Sequence, residues 1–155
     1  MVIGIIGESC TGKSTLAEKL KEQIAGAVFT GKDYLRLAKD ESAAKELFRQ
    51  KLLEAMTGGN IIYIIAEKEQ LQFLPAEAIR VLMTADLNTI KKRFSERMHG
   101  ILPSPVALAL ERKHGCFDAE KHDIHIVSGE MDLEEACRKI VKLVGTEPAI
   151  MDVEY

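Results

Sequence analysis

Five short apolar stretches punctuate the chain, at Val2–Ile6, Ala27–Phe29, Ile61–Ile65, Ile79–Met83 and Ile124–Val127, with almost no polar residue inside any of them. Brief, β-branched and nearly continuous runs of this kind are what strands covered on both faces require. Between them the spacing changes to that of helices. Leu16, Leu20 and Ile24 make one stripe that ends before Gly26; Leu47, Phe48, Leu52, Ala55 and Met56 make another that ends before Gly58 and Gly59. Leu87, Ile90 and Phe94 face one way behind a cap at Asp86, as do Leu133, Ala136, Cys137, Ile140 and Val144 behind Asp132. The last helix carries the fullest set of end signals: Asp132 and Glu135 at capping-box spacing, Glu134 at the positive end, Lys142 near the negative end and Gly145 just beyond.

Strands alternating with helices predict an α/β fold, a five-stranded parallel sheet flanked by helices in three layers, because parallel neighbours need crossovers of about this length. No repeat or linker divides the 155 residues, so the chain reads as one domain spanning 1–155. Its final stretch, TEPAIMDVEY, has no periodicity and is expected to be loosely ordered or to serve as a contact segment.

Composition excludes more than it selects. Hydrophobic residues make up 46% and charged residues 29%, as in soluble globular chains, and the formal charge of -3 gives no general attraction to nucleic acid or anionic lipid. The three cysteines, Cys10, Cys116 and Cys137, are odd in number and scattered, which fits reduced thiols and a cytoplasmic setting better than a disulfide framework. No basic leader precedes the first apolar run, and no segment is long enough to cross a bilayer. His114, Cys116, His122 and His125 cluster within 114–125 but match no usual zinc spacing. His122 and His125, three apart on the approach to a strand, are expected to face opposite ways.

The most informative stretch is Gly7–Ser14, GESCTGKS, which matches G-x-x-x-x-G-K-[ST] and stands after a strand and before an amphipathic helix, where that pattern works. Gly7 and Gly12 permit a backbone path that turns the N–H groups of the loop, around Ser9 and Thr11, inward as an anion nest at the positive end of a helix dipole. Lys13 can then reach the β- and γ-phosphates of a nucleoside triphosphate, Ser14 can ligate magnesium, and Thr15 can assist near the α-phosphate. ATP and Mg2+ are the expected ligands. Cys10 reads as a filler of the loop and not as a nucleophile, since no histidine base lies nearby in sequence.

Phosphate loops serve several kinds of protein, so the reaction class rests on other features. The D-x-x-G and N/T-K-x-D patterns of GTPases are absent, and the third apolar run leads into Ala66 and Glu67, not into the Asp that motors and transporters use. Two segments resemble the nucleoside monophosphate kinase group, which includes adenylate and cytidylate kinases. GKDYLRLAKDES is similar to its acceptor-side segment, with Asp33, Leu35 and Arg36 on a D-x-L-R element; ADLNTIKKRFSERMHG is similar to its helix leading into the lid, with Arg93 and Arg97 at R-x-x-x-R spacing. EKHDIHIVSGEMDLEEACRKIVKLV resembles the group's last strand, base-facing loop and closing helix. The resemblance implies a P-loop NTPase fold with a short lid, an acceptor-side segment at 31–60, a lid region at 97–122, and transfer of the γ-phosphoryl of Mg-ATP to a small acceptor. It also implies Arg36 on an acceptor phosphate and Gly129 in a loop facing the donor base.

Physical reasoning gives these residues alternatives. Residues four apart share a helix face, so Arg93 and Arg97 can address one anion cluster and stabilise the charge of phosphoryl transfer, with Arg112 as a possible third member; the other reading is a solvated basic face. Asp33, beyond the second strand, either faces the acceptor, taking a hydroxyl proton as likeness to shikimate-type kinases would imply, or caps the following helix. Glu67 is either a carboxylate near magnesium or an exposed one beside Lys68. The expected catalytic set is Lys13, Arg93, Arg97 and Asp33, and the acceptor set Asp33, Arg36 and Glu67. Expected partners are a nucleoside triphosphate and a small-molecule acceptor, with neither nucleic acid nor membrane, in a monomer or homodimer. Two other functions stay open: a nucleotide sensor with a degenerate acceptor site, and a shikimate kinase-like enzyme phosphorylating a hydroxyl.

Overall fold

The computed structural model describes the backbone of residues 1–152 and the side chains of residues 1–144. Strands β1 (Val2–Ile6), β2 (Ala27–Thr30), β3 (Ile61–Ile65), β4 (Ile79–Thr84) and β5 (Ile124–Val127) form one sheet in the order β2-β3-β1-β4-β5. Every pairing is parallel. All residues of β1 and β3 are buried, which is why their sequences are uninterrupted and apolar. β2, at one edge, is exposed at both ends, and its apolar run is correspondingly shorter.

Helices α1 (Lys13–Gln23), α2 (Glu41–Ala55), α3 (Leu87–Arg97), α4 (Ser104–Lys113) and α5 (Leu133–Asp152) connect or cover the strands. The pleat of β1 sends Val2 and Ile6 to one face, where they meet Tyr63, Leu82 and the α2 residues Ala44, Phe48, Leu52 and Ala55. Ile3 and Ile5 go to the other, under Leu16 and Leu20 of α1 and Ala136 and Ile140 of α5. Each such fully buried Leu, Ile or Phe contributes roughly 1.5–3 kcal/mol. The first face is stiffened by packed aromatic rings, with centroids 4.9 Å apart for Phe48 and Tyr63 and 4.8 Å for Tyr34 and Phe73.

The structure departs from the sequence expectations at four points. Leu47 is 41% exposed, because the buried stripe of α2 follows Ala44, Phe48 and Leu52 and leaves Leu47 at its margin. Gly145 does not end α5: its backbone continues to Asp152 through most of TEPAIMDVEY, a single interior glycine costing a helix only about 1 kcal/mol. Residues 153–155 of that stretch lie outside the described residues. His122 and His125 do not face apart, their ring centroids being 5.7 Å from each other. The strand alternation begins only at Ile124, so it does not govern His122. Finally, short 3-10 helices at Asp33–Leu37 and Lys68–Phe73, together with α4 inside the lid region, add elements beyond the periodic segments.

Among the described residues no group of three or more His, Cys, Asp and Glu side chains is placed to hold a metal ion. No helix among them is long and apolar enough to cross a membrane.

Candidate functional site

The phosphate loop hangs from the carboxyl end of β1, the central strand. Gly7 N donates to Ile65 O at 3.1 Å, extending the ladder with β3 by one step before the chain turns. A Cβ at Gly7 would lie 2.4 Å from Met83 O, so only glycine passes between the neighbouring strand ends. The loop closes at Gly12, whose φ of +94° is left-handed and which caps α1. The first bond of that helix runs from Leu16 N to Gly12 O at 3.1 Å, leaving the N–H groups of its first turn without partners inside the helix and available to an anion.

Side chains tighten the loop from within. The Thr11 hydroxyl donates to Glu8 O at 2.8 Å, and Lys13 Nζ donates to the same carbonyl at 2.6 Å. Lys13 is only 7% exposed. That burial pulls its pKa down from 10.5 to about 8; Cys10 and Glu8 oppose the shift, and the positive charge of Arg97 reinforces it. Ser14 and Thr15 are exposed at the mouth of the loop.

Helix α3 brings the arginines. Asp86 caps it, accepting from Thr89 N at 2.8 Å and from the Thr89 hydroxyl at 3.0 Å, and these bonds, the backbone one first, hold the Asp86 carboxyl below its ordinary range. Ile90 packs with Cys10 and Ala85 in a small apolar cluster joined by Phe94 and by Leu110 of α4, so α3 rests directly on the phosphate loop. Arg93 donates to Cys10 O at 3.0 Å and to Ser128 Oγ at 2.9 Å, spanning from the loop to the turn after β5. Arg97, one turn further, is exposed.

A cavity of about 770 Å³ opens beside the loop, bordered by Thr11, Gly12, Thr15, Arg93, Arg97 and Gly129, with Met83, Ile126 and Met131 as an apolar wall. Of the residues expected to bind phosphate, Thr11, Gly12 and Thr15 border this cavity together with Arg93, Arg97 and the loop after β5, and Gly7, Ser9, Lys13 and Ser14 do not. The acceptor residues Asp33, Arg36 and Glu67 are not part of this cavity and stand on the β2–β3 side of the sheet. Asp33 Oδ2 accepts from Thr30 N at 2.9 Å, fixing the carboxylate against the end of β2; Lys32, not Asp33, occupies the cap position of the 3-10 helix. The Arg36 side chain is 85% exposed, its guanidinium 3.9 Å from Asp33 Oδ1. Glu67 pairs with Lys113 of α4 at 2.6 Å. Arg49 lies over the Phe73 ring and donates to Gln72 Oε1 at 3.0 Å, and Arg112 is exposed on the last turn of α4.

Sequence reasoning passed over Glu8, whose carboxylate is buried and reaches the turn after α4, and Ser128 as a partner of Arg93. An acidic residue inside a phosphate-binding loop was itself a signal, since negative charge there needs a specific partner.

No protein-family model matches this sequence, and no curated protein matches it. Solved structures do. An uncharacterized protein from Eubacterium ventriosum ATCC 27560 superposes with a TM-score of 0.68 at 21% identity, over 94% of this chain and 99% of that one. A sugar kinase from Janibacter sp. HTCC2649 gives 0.65 at 15% identity, over 96% of both chains. The YorR protein of Bacillus subtilis, solved in complex with phosphorylated GDP, gives 0.64 at 25% identity, over 96% of this chain and 98% of that one. Shikimate kinases and a gluconokinase are also among the matches. With its parallel sheet in the order β2-β3-β1-β4-β5 and its glycine-bounded loop at the head of α1, the chain shares the three-layer α/β fold of these solved kinases.

Proposed function

We propose that this protein is a kinase that transfers the γ-phosphoryl group of Mg-ATP to a small-molecule acceptor. The observation that carries the reading is the buried Lys13, bonded to Glu8 O, and Arg93, bonded to Cys10 O, on the loop that opens α1, beside a cavity of about 770 Å³ bordered by Thr11, Gly12, Thr15, Arg93 and Arg97. The first-turn N–H groups of α1, a close approach at Gly7 that only glycine allows and a buried lysine fit what a polyphosphate needs. Magnesium, held through the Ser14 hydroxyl, would neutralise charge between the β- and γ-phosphates. Lys13 moves from Glu8 O to phosphate, Arg93 holds the nucleoside between the loop and Ser128, and Arg97 meets the charge on the transferring group.

The acceptor is read first as a nucleoside monophosphate, on the Asp33–Arg36 element, where the exposed guanidinium, 3.9 Å from Asp33 Oδ1, can exchange that contact for a phosphate. A hydroxylated acceptor is the second reading, favoured by the Asp33 carboxylate, which the Thr30 N–H fixes at the edge where open α/β sheets place ligands.

The test is a panel of nucleoside monophosphates, shikimate and related hydroxylated metabolites, assayed for ADP release with the natural chain and with Lys13→Ala. One acceptor should stimulate turnover and the variant should lose it. Tight ATP binding with no acceptor-dependent turnover would replace the kinase reading with that of a nucleotide sensor.

A further inference from the structure

Glu8 puts a negative charge in a loop built to receive negative charge, and its surroundings offset that conflict. The residue is 8% exposed. Oε2 of its carboxylate accepts the N–H of Gly115 at 3.0 Å, and Oε1 stands 3.2 Å from Nδ1 of His114. The His114 ring and the Gly115 N–H thus both address this one carboxylate. The carbonyl of the same residue takes the Lys13 ammonium and the Thr11 hydroxyl. Glu8 thus faces two ways: its backbone serves the phosphate side and its side chain is held by the turn after α4. That turn is firmly seated, because Phe117 is 2% exposed and packs into the core beneath β1 and β3.

We propose that Glu8 and the His114–Gly115 turn form a clasp that keeps the Glu8 carboxylate paired and directed away from the phosphate cradle, and thereby sets the affinity of the loop for a nucleoside triphosphate. The clasp rests on the nucleotide-binding part of the function proposed above. A buried carboxylate is tolerated when its oxygens are satisfied, and an incoming triphosphate brings further negative charge close to it. While both partners are in place the charge is fixed and partly compensated. Without His114 the Gly115 bond remains but Oε1 loses its partner, and the carboxylate is freer to turn toward the phosphates and repel them. Glu8 and His114 act as positioning residues, since neither is assigned a contact with the nucleotide.

Calorimetric titration with Mg-ATP tests this in a way that separates it from the functional reading. The natural chain should bind and Lys13→Ala should not; a natural chain that fails to bind overturns both the reading and the clasp. Given that binding, His114→Ala should weaken it by about tenfold or more, as expected for a carboxylate near the phosphates that has lost one of its two partners. Adding Glu8→Gln to that variant should restore affinity to within about threefold, because the amide keeps the Gly115 bond and carries no charge. Unchanged affinity in His114→Ala, or a loss that Glu8→Gln does not reverse, overturns the clasp; a merely structural tie would be weakened further by the second change. Glu8→Gln alone should bind at least as tightly as the natural chain to within about threefold, and weaker binding than that overturns the proposal even where His114→Ala does not fold.

Discussion

Arg93 donates to the hydroxyl of Ser128 at 2.9 Å, so α3 is bonded to the turn after β5 beside the cavity that both residues border. Arg97, a turn further on the same helix, has a different environment: it is exposed, and its charge is felt by Lys13. The two arginines should therefore separate kinetically. Arg93→Ala is expected to raise the nucleotide KM about tenfold with a smaller change in kcat, and Arg97→Ala to lower kcat about 100-fold with a smaller change in KM. Steady-state kinetics on the stimulated reaction would show the split; equal effects on both constants in both variants would mean that the pair acts as one unit.

Gly7→Ala should be among the most damaging single-methyl changes in the chain. Its Cβ would sit 2.4 Å from Met83 O, a backbone atom that cannot step aside without shifting β4. A loss of about 2 kcal/mol or more in urea unfolding is expected, together with loss of nucleotide binding. Gly58→Ala is the matched control: nothing lies within 4 Å of its Cβ position, and the change should be close to neutral.

Lys13 gives the empty protein an alkaline signature. The unfolded chain holds this proton up to about 10.5 and the folded chain releases it at about 8, so between those values the unfolded state binds more protons and stability rises with pH. Below about 8 both states are charged and the penalty of burying the ammonium is fully present; above about 10.5 both are neutral and it is gone. Urea unfolding of the natural chain, referenced to Lys13→Met at each pH, should show this gain between those limits and a flat difference below them. A flat difference throughout would mean that the ammonium is not desolvated in the folded state.

Asp33→Asn separates the two acceptor readings with little structural cost, because asparagine retains an oxygen for the Thr30 N–H now bonded at 2.9 Å. Stability should change by no more than about 0.5 kcal/mol. Turnover of a hydroxyl acceptor should fall by about 100-fold or more, through loss of a general base. Turnover of a nucleoside monophosphate should fall far less, since a phosphate acceptor presents no hydroxyl proton to remove.

Much of the fold was legible because the physics behind it is local. β1 and β3 are buried on both faces, and only continuous apolar sequence satisfies that. The caps at Asp86 and Asp132 each bond the N–H three residues on, at 2.8 and 2.9 Å, as their spacing implied. The loop from β1 into α1 was legible for the same reason, Gly7 and Gly12 marking its two ends within a few residues of each other. What escaped was non-local. Glu8 meets Gly115 across 107 positions and Arg93 meets Ser128 across 35, and no periodicity encodes either meeting. Leu47 was misassigned because it adjoins the buried stripe without belonging to it. Asp33 and Arg36, expected on the acceptor side, stand apart from the cavity by topology, since β2 and β5 lie at opposite edges of the sheet.

That placement of β1, with β3 and β2 on one flank and β4 and β5 on the other, makes the molecule divisible in a useful sense. The stretch carrying Asp33 follows one outer strand and the stretch carrying Ser128 and Gly129 follows the other, and the two share only the middle of the sheet. Changes to the stretch after β2 can therefore be made at the far edge of the sheet from Ser128 and Gly129, while the Glu67–Lys113 pair and the seating of Phe117 tie the segment around α4 to the β3 side.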